Sequence, residues 1–258
     1  MVSSSQAGSE VKIIVLKEHG VGSAAQAQPY VDKFVQIAQK KNNWSAAKGT
    51  YFTSRKDAES AISSDKPQFG IMSLGAFLAL KDAQGLETIG QVSVSKAGGQ
   101  EYHIVSKTAS DLAGCKGKKL ATDHADDAKF IDRVVSGGAF KLSDFTLEQT
   151  KRPLQGIKMV VKDEAVCALI DDAQYAELSG VEGGKDLKSV WKSAKMAPMA
   201  VVAFSGADKA TKDAFKASLS SLCDGDGKDV CKEIGIQSLK PAGDDAYGQV
   251  LAAYKKDK

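Results

Sequence analysis

The sequence predicts an α/β fold arranged as two lobes. Strand-like and helix-like segments alternate along most of the chain, which favours an α/β fold. The alternation forms two separate β-α series, and extended segments without a helical period join them at two places. The composition, with 43% hydrophobic and 26% charged residues among 258, is that of an ordinary folded protein. Together these observations predict two lobes connected by a two-strand hinge.

The first series begins with a buried strand. Val11 to Leu16 is a short apolar run with β-branched residues, as in a buried parallel strand. Pro29 is expected to open the next helix, because Tyr30 and Phe34 then fall on one apolar face. The further elements of this series are predicted as strand Gly49 to Thr53, helix Arg55 to Ser63, strand Phe69 to Met72 and a helix from about Gly75 to Lys81.

Two extended segments, Glu87 to Ser95 and Tyr102 to Ser106, then interrupt the alternation. They are expected to form the hinge with Ala200 to Phe204, because none of these segments has a helical period. The remainder, Ala207 to Lys258, is predicted to be helical. The second series is predicted as strand Lys119 to Thr122, helix Asp126 to Val135, strand Phe145 to Thr150, helix Leu154 to Lys162 and strand Val166 to Ile170.

The predicted lobes are discontinuous in the sequence. Lobe one comprises residues 11–95 and 205–258, and lobe two comprises residues 96–204. Residues 1–10 are rich in Ser and Gly and are expected to be disordered. Strand C termini and helix N termini converge on the cleft of such a protein, so the cleft is the expected ligand site.

Charge and apolar patterning exclude several classes of partner. The net charge is +3 and no basic block of five or more residues occurs, so no nucleic acid is expected to bind. The longest apolar stretches are far too short to span a membrane. The first ten residues contain no apolar core of signal-peptide length.

The four cysteines lack the CxxC spacing of zinc and redox sites. Cys223 and Cys231 flank a polar stretch of six residues. This pattern fits a local disulfide in an oxidising compartment, and it also fits two free thiols on helices beside a turn. The sequence leaves both alternatives open.

Motifs for cofactors and catalysis are weak. Gly20 to Ala25 matches GxGxxA, but the second strand lacks the acidic residue that a dinucleotide site needs, so no cofactor is expected. His19, His103 and His124 lie outside zinc and protease motifs, so neither a metal site nor a catalytic set is predicted. His19 and His124 follow predicted strands, and both are candidates for ligand contact.

A resemblance to a known family rests mainly on residues 110–127, which read SDLAGCKGKKLATDHADD. This stretch resembles the phrase D-L-x-G-K-K-V-A, followed by a strand-to-helix loop, in type II periplasmic solute-binding proteins. Similar passages lie in the same order at Phe69 to Ser73, Asp163 to Asp171 and Lys195 to Ala200. Over residues 11–220 the chain most resembles the phosphonate (PhnD-like) branch of ABC-transporter binding proteins.

The resemblance implies a two-lobed solute-binding protein of a transport system rather than an enzyme. A ligand would bind in the cleft and close the lobes, and a membrane transporter component would recognise the closed state. The resemblance also implies a monomer that works in the periplasm. The candidate ligand contacts are His19, Gly22, Ser23, Ser73, Leu74, Phe77, Thr122, Asp123, His124, Asp126, Asp171, Asp172, Tyr175 and Met199.

One departure from the family bears on the ligand. The family places a Ser-Thr-Ser-like sequence at the start of the lobe-two helix, whereas this chain has His124-Ala125-Asp126-Asp127. Acidic side chains there would repel an anion, which favours a neutral or cationic ligand. A lipid or sterol-like ligand is a further alternative, if Leu74, Phe77, Met196 and Met199 line a widened cleft. Three alternatives remain: a phosphonate- or phosphate-type anion binder, an enzyme on a similar scaffold, and a sensor or interaction domain without a ligand.

Overall fold

A computed structural model describes residues 10–20, 22–95 and 98–256. The expected disorder of the N-terminal segment concerns residues that, apart from Glu10, lie outside the described part. The strands and helices follow in the order β1 Val11–Leu16, α1 Ala24–Asn42, β2 Ala47–Phe52, α2 Arg55–Asp65, β3 Phe69–Met72, α3 Leu74–Leu80, β4 Glu87–Val94, β5 Tyr102–Ser106, β6 Lys119–Thr122, α4 Ala128–Phe130, β7 Thr146–Gln149, α5 Gln155–Val161, β8 Cys167–Asp171, α6 Asp172–Ala176, β9 Lys188–Lys192, β10 Met199–Ala203, α7 Lys209–Ser218, α8 Gly227–Ile234, β11 Ile236–Pro241 and α9 Gly248–Lys255.

The chain divides into two compact units. Their described residues are 10–18, 22–95 and 199–246 in unit 1, and 19–20, 98–198 and 247–256 in unit 2. Among the described residues, no helix combines the length and the apolar character that a membrane span needs.

Unit 1 is built on a mixed sheet in the order β11-β4-β10-β3-β1-β2. Strand β1 runs parallel to β2 and β3, whereas β10 runs antiparallel to β3 and β4. The chain leaves unit 1 after β4 and returns at β10, and these two strands pair side by side, with Met199 opposite Val92. They correspond to two of the three segments predicted to form the hinge, whereas the third, Tyr102–Ser106, is β5 in the sheet of unit 2.

The core of unit 1 contains an aromatic cluster. The ring of Phe69 on β3 lies 4.6 Å from that of Phe215 on α7, and Trp44 stacks on Phe69 at 5.9 Å. Helix α1 packs closely on β2, because a Cβ on Gly49 would lie 2.5 Å from a methyl group of Val31. Glycine is therefore needed at this position for the close approach of helix and strand.

Unit 2 is built on a second mixed sheet in the order β7-β6-β8-β5-β9. Strand β6 runs parallel to β7 and β8, and β5 runs antiparallel to β8 and β9. Because β6 and β8 are parallel neighbours, their C-terminal ends lie at the same edge of the sheet. Helix α5 packs on this sheet through Ile157 and Val160, which are fully or almost fully buried.

Several elements differ from the sequence prediction. Helix α1 begins at Ala24 instead of Pro29, because Ser23 and Gln26 form a capping box that starts the helix one turn earlier. The helix predicted from Asp126 is instead a 3₁₀ turn, the short α4 and a π-helical turn at Ile131–Val135. Strands β9 and β11 lie in segments where the sequence predicts no strand.

The C-terminal segment is also placed differently. The prediction assigns all of residues 205–258 to lobe one, whereas α9 belongs to unit 2. The contacts explain the difference, since a guanidinium N–H of Arg133 donates to the carbonyl of Tyr254 at 2.9 Å. The ammonium group of Lys129 also lies 4.1 Å from the centre of the Tyr254 ring.

All four cysteines are paired. Cys223 and Cys231 form the local disulfide that the sequence left open, in unit 1. Cys115 and Cys167 form a second disulfide in unit 2, which their 52-residue separation does not reveal in the sequence. Two disulfides are typical of a protein from an oxidising compartment.

Candidate functional site

The predicted ligand contacts fall into two groups. Eight of them belong to unit 2, where they follow strands β6 and β8 or lie in the short segment after β1. These eight are His19, Thr122, Asp123, His124, Asp126, Asp171, Asp172 and Tyr175. The other six belong to unit 1 and are Gly22, Ser23, Ser73, Leu74, Phe77 and Met199.

Two of the unit 1 residues, Ser23 and Ser73, occupy the N-cap positions of α1 and α3. Ser23 is the N-cap of α1 and accepts from the Gln26 N–H at 3.3 Å. Of the apolar lining suggested for a lipid-like ligand, Leu74, Phe77 and Met199 are buried, whereas Met196 is partly exposed.

The loop after β6 is held by Thr122. Its hydroxyl donates to the carbonyl of Leu169 on β8 at 2.9 Å and accepts from the His124 N–H at 3.1 Å. Because Thr122 is 1% exposed, both bonds are shielded from water. The hydroxyl therefore fixes the backbone that carries Asp123 and His124.

Two imidazole rings and two carboxylates converge beside this loop. Nδ1 of His19 lies 3.5 Å from Oδ2 of Asp123, and Nε2 of His124 lies 3.6 Å from Oδ1 of the same carboxylate. Nε2 of His19 lies 3.5 Å from Oδ1 of Asp126. The centres of the two imidazole rings are 4.3 Å apart. His124 and Asp123 are buried, whereas the Asp126 side chain is 57% exposed.

Gln174 joins the segments that form this cluster. Its side-chain amide donates to both carboxylate oxygens of Asp123, at 3.1 and 3.2 Å, and to the carbonyl of His19 at 3.4 Å. Its amide oxygen accepts from the backbone N–H of Asp171. The backbone N–H of Gln174 donates in turn to the Asp171 carboxylate at 2.9 Å. The capping box of α6 thus holds the fully buried Gln174 in place, and Gln174 orients Asp123.

The charges of the site perturb its acids. Burial by itself raises the pKa of the Asp123 carboxyl, but the charge of His124 and the hydrogen bonds from His19 and Gln174 outweigh it and lower the pKa overall. Burial, followed by the charges of Asp171 and Asp127, raises the pKa of the Tyr102 hydroxyl well above its ordinary value.

Asp172 and Tyr175 extend this edge of unit 2. A carboxylate oxygen of Asp172 accepts from the Gly99 N–H at 2.5 Å. The ring of Tyr175 stacks on that of His103, with centres 4.0 Å apart and planes 8° from parallel. Burial, followed by the charge of Lys192, lowers the pKa of His103.

The composition of the site limits direct binding of an anion. An anion held about 4 Å from one ionised carboxylate is repelled by about 4 kcal/mol at an effective dielectric constant near 20. The broken helical start after His124 also lacks the regular first turn from which helix N–H groups bind anions. Nitrogen and carboxylate oxygen donors are instead the set that divalent transition metals bind.

Most of the chain matches the model of one protein family. The model of the family described as "ABC transporter, phosphonate, periplasmic substrate-binding protein" matches residues 45–247. The chain belongs to this family. Proteins of the ABC-transporter phosphonate-binding family supply small-molecule ligands to membrane transporter components, and their periplasmic location supports the same location here. No curated protein matches the chain.

Solved structures agree with the family in fold. A binding protein component of an ABC phosphonate transporter from Pseudomonas aeruginosa has a TM-score of 0.70 at 12% identity, covering 95% of this chain and 86% of its own. PhnD1 from Prochlorococcus marinus, in complex with methylphosphonate, has a TM-score of 0.70 at 7% identity, with 95% and 96% covered. The periplasmic aliphatic sulphonate binding protein SsuA from Escherichia coli has a TM-score of 0.61 at 12% identity, with 95% and 85% covered. At these identities the likeness shows the fold alone. It confirms the predicted two-lobed periplasmic-binding-protein fold.

Sequence reasoning missed Gln174 and Tyr102 at this site. The pattern Asp171-x-x-Gln174 is that of a capping box and could have indicated the local bond. The bonds from Gln174 to Asp123 have no such signal, because the two residues are 51 positions apart. Tyr102 reaches the site because β5 pairs with β8, and its ring lies 5.0 Å from that of His124.

Proposed function

We propose that this protein captures a small oxyanion of the phosphonate or sulfonate class and supplies it to the membrane components of an ABC transporter. The observation that carries the proposal is the family match, which spans residues 45–247 and so includes the loops after β6 and β8. The fold neighbours whose descriptions name phosphonate transport, methylphosphonate and aliphatic sulphonate support the same ligand class.

The polar character of the unit 2 site favours this class over a lipid. The side chains that converge there are imidazoles, carboxylates and an amide, and Asp123, His124 and Gln174 are buried with them. Burying such groups against hydrocarbon is costly. None of the comparisons points to a lipid or sterol ligand, so that alternative is not carried further.

The acids that led the sequence analysis to expect a neutral or cationic ligand remain a constraint. Asp126 is the most accessible of these acids, and its carboxylate lies 3.5 Å from Nε2 of His19. Positive charge near Asp123 must therefore offset the repulsion when an oxyanion approaches. Nitrogen atoms of both histidine rings lie 3.5 and 3.6 Å from the Asp123 carboxylate.

Isothermal titration calorimetry on protein purified without chelators tests the ligand class. Methylphosphonate and a short alkylsulfonate form one arm, a neutral alcohol and an alkylamine form the second, and a solubilised sterol forms the third. We expect saturable binding of one ligand per chain in the oxyanion arm. Binding in either other arm, without binding in the oxyanion arm, would show that the proposal is wrong.

A surface substitution tests whether the oxyanion lies near the acidic loop. Asp126→Ser removes an exposed negative charge, and we expect oxyanion affinity to rise about tenfold if about 1.4 kcal/mol of repulsion is relieved. Asp186→Ser is the matched control, since it removes the same charge from an exposed residue at the end of the turn Gly184–Asp186. Equal affinities in both variants and the native protein would place the oxyanion away from Asp126.

A further inference from the structure

We propose that His19, Asp123 and His124 form a binding site for a divalent transition-metal ion such as Zn²⁺. One nitrogen of each ring and one carboxylate oxygen lie within 4.8 Å of one another. Zn²⁺ bonds of 2.0–2.1 Å place tetrahedral ligand atoms about 3.3 Å apart. The Asp123 carboxylate comes close to this spacing through different oxygens, with Oδ2 at 3.5 Å from Nδ1 of His19 and Oδ1 at 3.6 Å from Nε2 of His124.

The donor atoms are held by an outer set of hydrogen bonds. Gln174 donates to the Asp123 carboxylate and to the His19 carbonyl, and the Thr122 hydroxyl fixes the His124 backbone. Partners of this kind orient metal ligands in known sites. The convergence is therefore built into the buried framework of unit 2 and does not depend on exposed side chains.

The ligand set leaves room for a further ligand. Two imidazoles and a carboxylate are the protein ligands of open zinc sites, in which water or substrate takes the fourth position. His19 is the accessible member, with 17% of its side chain exposed, whereas His124 is buried. The open position therefore lies on the side of His19.

A bound cation also resolves the conflict between the acidic loop and an oxyanion ligand. A divalent ion among these residues adds two positive charges beside the acidic loop, and an oxyanion oxygen can take the open position. This role in ligand capture rests on the proposed function, whereas the metal site itself does not. The family match and the metal site can thus be tested separately.

The first experiment measures the metal alone. Untagged protein is stripped with a chelator, dialysed and titrated with Zn²⁺ by calorimetry, with Mg²⁺ as the comparison ion. We expect one Zn²⁺ per chain, a rise in the melting temperature with Zn²⁺, and neither effect with Mg²⁺. Absence of Zn²⁺ binding would overturn the proposal.

Matched variants test which residues bind the metal. His19→Asn suits the left-handed backbone at this position, where φ is 58°, and Asp123→Asn keeps an acceptor for Gln174. Each is expected to weaken Zn²⁺ binding by at least about tenfold while circular dichroism stays native. His103→Gln is the control, because this histidine stacks on Tyr175 instead of joining the cluster. Undiminished binding by both test variants, or an equal loss in the control, would overturn the assignment.

The second experiment adds methylphosphonate to stripped and to Zn²⁺-loaded protein. Tight binding only with Zn²⁺ supports both the metal site and its role. Zn²⁺ binding without methylphosphonate binding in either state leaves the metal site standing and counts against the proposed ligand. Equal methylphosphonate binding in both states supports the proposed function and refutes the bridging role.

Discussion

The two disulfides are expected to stabilise the protein unequally. Cys115 and Cys167 close a loop of 52 residues in unit 2, whereas Cys223 and Cys231 close a loop of 8 residues in unit 1. A cross-link stabilises a fold mainly by restricting the unfolded chain, and the restriction grows with loop length. Replacing each pair by alanine therefore tests a prediction that depends on loop length.

The loop lengths set the expected magnitudes. The chain-entropy relation gives about 4 kcal/mol for the longer loop and about 2.5 kcal/mol for the shorter one at 25 °C. The expected difference is therefore about 1.5 kcal/mol. Packing acts in the same direction, because Cys115 and Cys167 have no exposed surface and lose more contacts when the sulfur atoms are removed.

Each unit carries one tryptophan that can report its unfolding. Trp44 packs on Phe69 and Phe215 in unit 1, and Trp191 packs edge-on against Phe140 in unit 2. Guanidinium unfolding of Trp44→Phe and Trp191→Phe backgrounds, followed by fluorescence, gives the free energy of unfolding seen by each probe.

We expect the larger loss for Cys115→Ala with Cys167→Ala, in the transition that Trp191 reports. If both probes report one common transition, the comparison between the two disulfide variants still holds. An equal or larger loss for the Cys223–Cys231 variant would refute the loop-closure reasoning.

Three further predictions follow from single contacts. Gly49→Ala should destabilise unit 1 by about 1–3 kcal/mol, because its Cβ would lie 2.5 Å from a methyl group of Val31. Gly206→Ala is the control and should be near neutral, since its Cβ would have nothing within 4 Å. Urea unfolding followed by Trp44 fluorescence measures both changes. Thr122→Val should lower the free energy of unfolding by about 1–3 kcal/mol, because the His124 N–H and the Leu169 carbonyl lose the hydroxyl that bonds to both. Thr122→Ser retains the hydroxyl and should keep most of the stability. An equal loss of stability in both variants would contradict the hydrogen-bond argument. The fold lowers the pKa of His103 from 6.5, so the unfolded chain binds more protons than the folded one as the pH drops. Stability should therefore fall as the pH drops from 6.5 through the folded pKa. Unfolding curves measured across this range should show a shallower fall for His103→Phe, and an unchanged pH dependence would contradict the linkage.

Much of the strand framework could be predicted from local pattern. The predicted bounds of Val11–Leu16, Phe69–Met72, Tyr102–Ser106 and Lys119–Thr122 are those of β1, β3, β5 and β6. All four are interior strands of their sheets, and β1, β3 and β5 are largely apolar or β-branched runs. Burial on both faces imposes a composition that a single sequence displays.

Edge strands and irregular helices could not be predicted in the same way. Strands β9 and β11 each pair along one side, and their polar sequences are defined by pairing with β5 and β4. The division of residues 125–135 into 3₁₀, α and π turns is likewise absent from the apolar periodicity of that segment. Each of these features depends on a neighbour that is distant in sequence.

The sequence by itself determined the α/β class, the two β-α series and the strands whose following loops carry polar residues, because these depend on local composition and periodicity. Only the tertiary structure decided that His19, Asp123 and His124 converge and that Gln174 binds the Asp123 carboxylate and the His19 carbonyl. The segments are about 100 and 50 residues apart, so no local pattern records their distances. The parallel pairing of β6 with β8 brings their C-terminal loops to one edge, and the bonds of Gln174 select the rotamers there. The chemistry of the site arises from that placement.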